Sequence, residues 1–209
     1  MRNNLITDDY WRKNVIKSAW DFVNIIWIPT EKNLCHGKDE NGKAINTPDI
    51  NCLSEKFNGW WRVGEKNQGM PYKWGGFSTV EEFQKGISEG KYAGNVPDST
   101  ESGNDECVGI DCSGLVSRCW GLKWHTNTKE LLSVSSSTDN LLPGDILLLP
   151  KTAKLAGHVV IFAKFTDIKK SYAQIIEANS SFGKVLSRNV KISEYIDKGY
   201  ARYCYKNNS

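Results

Sequence analysis

Two segments rich in β-branched and aromatic residues limit the possible folds more than any other feature of this sequence. They are residues 158–165 (HVVIFAKF) and 172–179 (YAQIIEAN), with a polar stretch between them. A third apolar run, residues 146–149, follows a turn that contains Pro143 and Gly144. Short strands joined by polar turns are typical of antiparallel sheets. The sequence therefore predicts antiparallel β-structure in the second half of the chain.

The predicted hairpin brings polar side chains together. If its turn is centred between Asp167 and Ile168, His158 lies directly across from Glu177, on the same face of the sheet. Asn179 is one step further along that face, and a register shift of two residues would exchange its role with that of Glu177. Either side chain is a candidate to orient the imidazole, as the third member of a nucleophile–base set does.

A short helix with a thiol in its first turn is predicted after residue 110. Asp111 is a suitable N-cap, and Gly121 stands where a left-handed C-terminal cap belongs. Cys112 would lie at the positive end of the helix dipole, a position that favours the nucleophilic thiolate. A Cys in an apolar helix can equally be an inert core residue. The apolar face of the helix consists of Leu115, Val116, Cys119 and Trp120.

The first half of the chain reads as helix and loop. A helix is predicted over residues 8–27, because apolar residues recur at helical spacing until Pro29. Residues 31–58 are polar and are expected to form a long loop. A second helix is predicted from a capping box at Thr79–Glu82, followed by an exposed loop over residues 91–106.

Composition narrows the function classes. The chain has 209 residues, a net charge of +3 and a pI of about 8.4, with no run of basic residues interleaved with aromatics. This argues against nucleic acid as a partner. No run reaches the roughly 18 apolar residues of a membrane span, and residues 1–7 lack the apolar core of a secretory signal. We expect one monomeric domain over residues 1–209, with an extension over residues 1–58 and a core over residues 59–209.

Four short motifs resemble the NlpC/P60 family of papain-like cysteine peptidases and amidases. They occur in the family's order: residues 69–76 (GMPYKWGG), 111–116 (DCSGLV), 142–145 (LPGD) and 157–162 (GHVVIF). Two features depart from the family pattern. An insertion over about residues 77–108 precedes Cys112, and Glu177 stands where the family usually has His.

The resemblance implies an α+β fold in which a helical layer packs on an antiparallel sheet or partial barrel. It implies a Cys112–His158–Glu177 triad that cleaves an amide bond, with the Tyr72 hydroxyl helping to hold the oxyanion. The implied substrate is a bacterial cell-wall stem peptide, cleaved between D-glutamate and a diamino acid outside the cell or in its envelope. No cofactor or metal is needed. The residues implied in substrate binding are Asp111, Ser113, Trp74, Gly157 and Asn179.

Several alternatives remain open at this stage. An amidase or acyltransferase of the same fold, or a non-catalytic cell-wall-binding module, would carry the same motifs. Tyr72 could instead pack in the core with Trp74, and Asp111 could serve only as a cap. His125 is a rival base without strand context. Two weak metal sets are Cys35, His36 and Cys52, and Cys107, Cys112, Cys119 and His125.

Overall fold

The computed structural model describes residues 2–52, 59–96 and 104–206, which contain both helices and strands. The α-helices there are α1 (Arg2–Asn24), α2 (Val80–Ser88), α3 (Cys112–Cys119) and α4 (Ile192–Asp197). The first six strands are β1 (Ile26–Trp27), β2 (His36–Lys38), β3 (Ala44–Asn46), β4 (Asn67–Gln68), β5 (Tyr92–Ala93) and β6 (Cys107–Val108). The others are β7 (Ser135–Ser137), β8 (Ile146–Leu149), β9 (His158–Phe165), β10 (Tyr172–Asn179), β11 (Lys184–Lys191) and β12 (Ala201–Tyr205).

The main sheet has six strands in the order β11-β10-β9-β8-β12-β7. Strands β8, β9 and β10 pair antiparallel, and β12 pairs antiparallel with both β8 and β7. The predicted antiparallel structure is therefore confirmed. Within the described residues the sheet is open at β11 and β7, so a partial barrel is not confirmed.

The predicted register of the β9–β10 hairpin is wrong by two residues. It would place Val159 opposite Ile176, whereas Ile161 lies there, and a β-bulge interrupts the pairing between Gln174 and Ile175. The connecting turn has the expected length, and the Asp167 carboxylate accepts the backbone N–H groups of residues 171 and 172. Asp167 thereby holds a loop whose centre lies further along the chain than the predicted one.

The chain divides into two compact units. One, here called the sheet unit, comprises residues 2–20, 115–177 and 187–206. The other, here called the cysteine unit, comprises residues 21–52, 59–96, 104–114 and 178–186.

The core of the sheet unit lies against one face of β9 and β10. Val160 and Phe162 in β9 and Ala173 and Ile175 in β10 belong to one buried apolar cluster. Alternate residues of a strand share a face. His158 and Glu177 therefore continue these two rows beyond the apolar core. The rest of the cluster comes from Leu141, Leu147, Val190, Ile192 and Tyr195.

A buried ion pair holds α1 within the sheet unit at Arg12, near the middle of the helix. Arg12 Nη1 lies 2.7 Å from Asp145 Oδ1 and donates to the Pro143 carbonyl at 3.0 Å. Asp145 is only 1% exposed. The N-terminal helix is therefore fixed to the turn that precedes β8.

The predicted helix over residues 8–27 has different ends in the structure. Helix α1 begins at Arg2 and ends at Asn24, because Ile26 and Trp27 form strand β1, which pairs with β4. The Trp27 indole donates to the Gly69 carbonyl at 2.9 Å. A contact distant in sequence therefore ends the helical pattern before Pro29 does.

The expected loop over residues 31–58 is also partly wrong. Strands β2 and β3 form an antiparallel hairpin there, after a 3-10 turn at Glu31–Asn33. Residues 53–58 lie outside the described residues. The core of the cysteine unit nearby is aromatic: Trp27 contacts Trp60, Trp61 and Phe83 edge-on, with centroid distances of 5.9, 5.5 and 5.2 Å.

The predicted helix in the insertion is confirmed as α2. Thr79 Oγ1 accepts from the Glu82 N–H at 3.0 Å, and the Glu82 carboxylate accepts from the Thr79 N–H at 2.8 Å. The loop expected over residues 91–106 contains β5, which pairs in parallel with β6. Residues 97–103 of that loop are outside the described residues. No helix among those described is long and apolar enough to cross a membrane.

Candidate active site

Helix α3 begins at Cys112, and Asp111 caps it. Asp111 Oδ1 accepts the Gly114 N–H at 2.6 Å, which is the N-cap geometry predicted from the sequence. The same oxygen accepts from the Ser113 hydroxyl at 3.0 Å, and Oδ2 accepts from the Gly75 N–H at 3.0 Å. Asp111 therefore ties the segment that carries Tyr72 to the start of the helix that carries the thiol.

Gly114 permits a close backbone approach at the same helix start. A Cβ atom at this position would lie 2.1 Å from the Gly76 carbonyl oxygen. The space that Gly114 leaves is therefore filled by another segment of the cysteine unit. The two glycines fix the distance between the segment 72–76 and the first turn of α3.

Tyr72 and Cys112 are buried neighbours within the cysteine unit. Tyr72 is 4% exposed and Cys112 is 7% exposed. Burial, and after it the charges of Cys112 and Asp111, raise the pKa of Tyr72 well above its ordinary value. Its hydroxyl therefore keeps its proton at physiological pH and can act as a hydrogen-bond donor.

Tyr72 and Trp74 differ in exposure. Tyr72 is buried in the core, as the packing alternative requires, whereas Trp74 is 37% exposed and does not share that core. The backbone around them is held by hydrogen bonds, from the Tyr72 N–H to the Gly183 carbonyl at 2.8 Å and from the Trp74 N–H to the Asn95 carbonyl at 3.0 Å.

In the sheet unit, the imidazole of His158 lies beside Glu177. His158 Nε2 is 2.7 Å from Glu177 Oε2. The observed register, continued by one residue, places Val160 opposite Glu177, so that His158 is its diagonal neighbour on the same face. Diagonal neighbours are within reach of long side chains. The pair predicted from the hairpin therefore forms despite the wrong register.

Glu177 is fully buried, and Arg188 occupies its other oxygen. The side chain of Glu177 is 0% exposed, and that of His158 is 23% exposed. Arg188 Nε donates to Glu177 Oε1 at 2.7 Å, and Arg188 Nη2 lies 2.5 Å from the same oxygen. Sequence reasoning missed Arg188. The available signal was a cation in the strand that follows Glu177, because a buried carboxylate requires a compensating charge.

Gly157 and Asn179 are held by local contacts. A Cβ at position 157 would lie 2.1 Å from Thr128 Oγ1, so glycine is required immediately before His158. Asn179 Oδ1 accepts from the Ser181 N–H at 2.9 Å, in the turn that follows β10. Their predicted roles in substrate binding remain predictions.

The described residues contain no group of three or more His, Cys, Asp or Glu side chains that could hold a metal ion. Neither metal set considered from the sequence therefore gathers in the structure. No disulfide joins the six cysteines, all of which lie among the described residues. Burial raises the pKa of Cys107 to about 12, so its thiol stays protonated at physiological pH.

A thiol at the start of a helix and an imidazole paired with a carboxylate are the groups on which cysteine hydrolases depend. Residues 69–206, about two thirds of the chain, match the model of the NlpC/P60 family, and the chain belongs to that family. Members of this family are generally cell-wall peptidases and amidases. Searches among curated proteins and among solved structures gave no match.

Proposed function

We propose that this protein is a cysteine hydrolase that cleaves an amide bond in peptidoglycan stem peptides. In this proposal it is a γ-D-glutamyl-diamino acid endopeptidase, a monomer with one papain-like domain, acting outside the cell or in its envelope. The observation that carries the proposal is the His158–Glu177 hydrogen bond of 2.7 Å on a carboxylate that is fully buried. It is the arrangement that a base needs in order to be held in one tautomer.

In the proposed reaction His158 first takes the thiol proton of Cys112. The thiolate sulfur attacks the amide carbonyl carbon, and the C–N bond breaks as the imidazolium returns the proton to the leaving amine. Water then attacks the thioester, gives the carboxylic acid and restores the thiol. With Nε2 engaged by Glu177, Nδ1 is the nitrogen that exchanges the proton.

The negative charge that develops on the carbonyl oxygen needs donors close to it. We assign this role to the backbone N–H of Cys112, at the first turn of α3, and to the hydroxyl of Tyr72. The raised pKa of Tyr72 keeps that hydroxyl a donor over the working pH range. Preorganised donors of this kind contribute about 3 to 4 kcal/mol each to transition-state stabilisation.

The substrate-binding roles proposed for five residues depend on the family resemblance. Trp74 offers an exposed aromatic surface, Gly157 precedes the strand that begins with His158, and Asn179 is the last residue of the strand that carries Glu177. For Asp111 and Ser113 the proposed partner is the free amine of the stem peptide. Both already make hydrogen bonds to neighbouring groups, so this role would be added to the capping role.

Purified muropeptides of known structure, analysed by mass spectrometry before and after incubation, test the function. We expect two fragments whose masses add up to that of the substrate plus one water, with the cut after D-glutamate. Cys112→Ala should abolish the cut. Cys204→Ala, which removes a half-buried thiol of the sheet unit, is the matched control and should keep the activity of the wild type.

Other results would support the alternatives. A product that carries an added amine instead of water indicates an acyltransferase, which is a specific possibility because Glu177 replaces the usual histidine of the family. Binding of muropeptides without any cleavage by the wild type indicates a cell-wall-binding module. Cleavage that survives Cys112→Ala would overturn the proposed nucleophile.

A further inference from the structure

We propose that Arg188 is a positioning residue for the reaction, and this inference rests on the proposed function. In this view Arg188 neutralises Glu177, so that the carboxylate orients His158 without binding its protonated form too tightly. Neither the four sequence motifs nor the predicted triad includes Arg188. Arg188 would act through Glu177 and not on the substrate.

The two carboxylate oxygens of Glu177 have different partners. Arg188 Nε and Nη2 both approach Oε1 of Glu177, and His158 Nε2 approaches Oε2. The arginine and the imidazole therefore contact different oxygens of the carboxylate. Two N–H groups of one rigid guanidinium hold Oε1, so the arginine restricts the carboxylate more than a single donor would.

The positive charge of Arg188 balances the negative charge of Glu177. A fully buried carboxylate is strongly disfavoured unless a positive charge compensates it. Without Arg188, the nearest group that could supply this charge is protonated His158. An imidazolium held as the sole counter-ion of Glu177 would be a weak acid and would return its proton slowly to the leaving amine. With Arg188 in place, Glu177 is already neutralised, and a neutral imidazole can donate its Nε2–H.

Arg188 is itself held in place by Tyr195. Its Nη2 donates to the Tyr195 hydroxyl at 3.1 Å, and Tyr195 belongs to the buried cluster of the sheet unit. Burial, and after it Glu177, raise the pKa of Tyr195 to about 12, so this hydroxyl stays neutral. The Arg188 side chain is 34% exposed, which leaves it partly hydrated while its head group is held at two points.

The surroundings of His158 within the sheet unit include residues of three strands and Tyr200. Strand β10 contributes Glu177, β11 contributes Arg188, and Leu149 of β8 is the apolar residue paired with His158. Tyr200 meets the imidazole edge-on at 6.3 Å and contacts Tyr195 at 4.8 Å. Glu177 and Arg188 are thus the charged groups that these contacts place next to the imidazole.

The test measures the titration of His158 by NMR in the full chain. It uses a Cys112→Ser background, so that the thiol does not titrate with the ring. Arg188→Met should raise the midpoint of His158 by about one to two pH units, the shift expected when a nearby compensating charge is lost. Arg188→Lys, which keeps the charge, should stay within about half a unit of the parent. Arg202→Met, which removes a half-buried cation of the same unit, should leave the midpoint unchanged.

A second readout follows hydrolysis in proteins that retain Cys112. Arg188→Met should lower kcat by about tenfold with little change in KM, because the weaker acid affects proton return rather than binding. Arg188→Gln keeps an N–H donor for Glu177 and serves in both experiments if Arg188→Met does not fold. Its His158 midpoint should also rise.

The outcomes separate this inference from the proposed function. If the titration midpoint of His158 is unchanged in Arg188→Met and Arg188→Gln, whichever of them folds, the role of Arg188 is overturned, even if the wild type cleaves muropeptides. A raised midpoint in a protein that cleaves nothing supports the electrostatic effect of Arg188 on His158 and overturns the proposed hydrolase. A midpoint that moves equally in Arg202→Met shows a general charge effect and also overturns the inference.

Discussion

Arg12→Met removes one partner of a buried ion pair and tests how α1 is held in the sheet unit. Asp145 is 1% exposed and accepts from Arg12 at 2.7 Å and from the Leu142 N–H at 2.8 Å. Arg12 also lies 3.1 Å from Asp8. The substitution leaves Asp145 charged and buried with only its backbone donor, and it removes the cation from Asp8 as well.

Arg12→Met should lower the free energy of unfolding by a large amount. Removing one partner of a buried pair costs about 3 to 5 kcal/mol, because the remaining charge is not compensated. For a chain of this size each kcal/mol lowers Tm by roughly 2 to 4 °C, so Tm should fall by about 10 °C. Lys13→Met is the matched control on the same helix. The side chains of Lys13 and Asp9 are 74% and 67% exposed, and the loss of this ion pair should cost less than about 1 kcal/mol of unfolding free energy.

The loss should also depend on pH in a defined direction. Burial raises the pKa of Asp145, and Arg12 opposes this rise. Without Arg12 the pKa of Asp145 should rise further. An acid with a raised pKa in the folded state contributes stability at low pH, and this contribution is lost as pH increases through the folded pKa. The cost of Arg12→Met should therefore be largest near pH 7 and should shrink toward pH 4.

Urea unfolding followed by tryptophan fluorescence measures these free energies. Arg12→Met combined with Asp145→Asn should recover much of the loss, because the buried position 145 then carries no uncompensated charge. A cost for Arg12→Met that equals that of Lys13→Met would refute the reasoning. A cost that grows on acidification would refute it as well.

Three further predictions concern the candidate site. Glu177→Gln should lower kcat by about 100-fold or more with little change in KM, because it removes the charge that supports the imidazolium, as steady-state kinetics on a muropeptide would show. Gly114→Ala should destabilise the protein in urea, although alanine normally stabilises a helix interior by about 1 kcal/mol, since its Cβ would meet the Gly76 carbonyl. Stabilisation would contradict that contact. Tyr72→Phe should lower kcat by about 10²-fold or more. Because the pKa of Tyr72 is raised, its ionisation should cause no loss of wild-type activity below pH 10. A loss in that range that is absent from Tyr72→Phe would contradict the assignment.

Local patterns were sufficient to predict the elements that carry the candidate catalytic residues. Strands β9 and β10 have the predicted ends, because β-branched runs stand between polar turns. Helix α3 begins at Cys112 because Asp111 caps it, and it ends at Cys119, two residues before Gly121, whose φ of 74° is the left-handed conformation expected there. These signals lie within a few residues of each other and depend little on the rest of the fold.

Contacts distant in sequence decided what the sequence did not predict. The end of α1 depends on the pairing of Ile26 with Gln68, and the hairpin register depends on a bulge that no glycine or proline marks. Arg188 was not recognised because its role exists only once Glu177 is buried beside it. The part of the site that local patterns missed is thus the part that compensates a buried charge.

The central claim is that Cys112 is a nucleophile activated by His158, and the rate of its alkylation tests this claim most directly. Iodoacetamide at pH 6.5, followed by peptide mass spectrometry, gives separate rates for Cys112, Cys119 and Cys204. We predict that Cys112 reacts at least about tenfold faster than the other two, and that His158→Ala removes this advantage. A Cys112 that reacts no faster than Cys119, or that keeps its rate in His158→Ala, would contradict the claim.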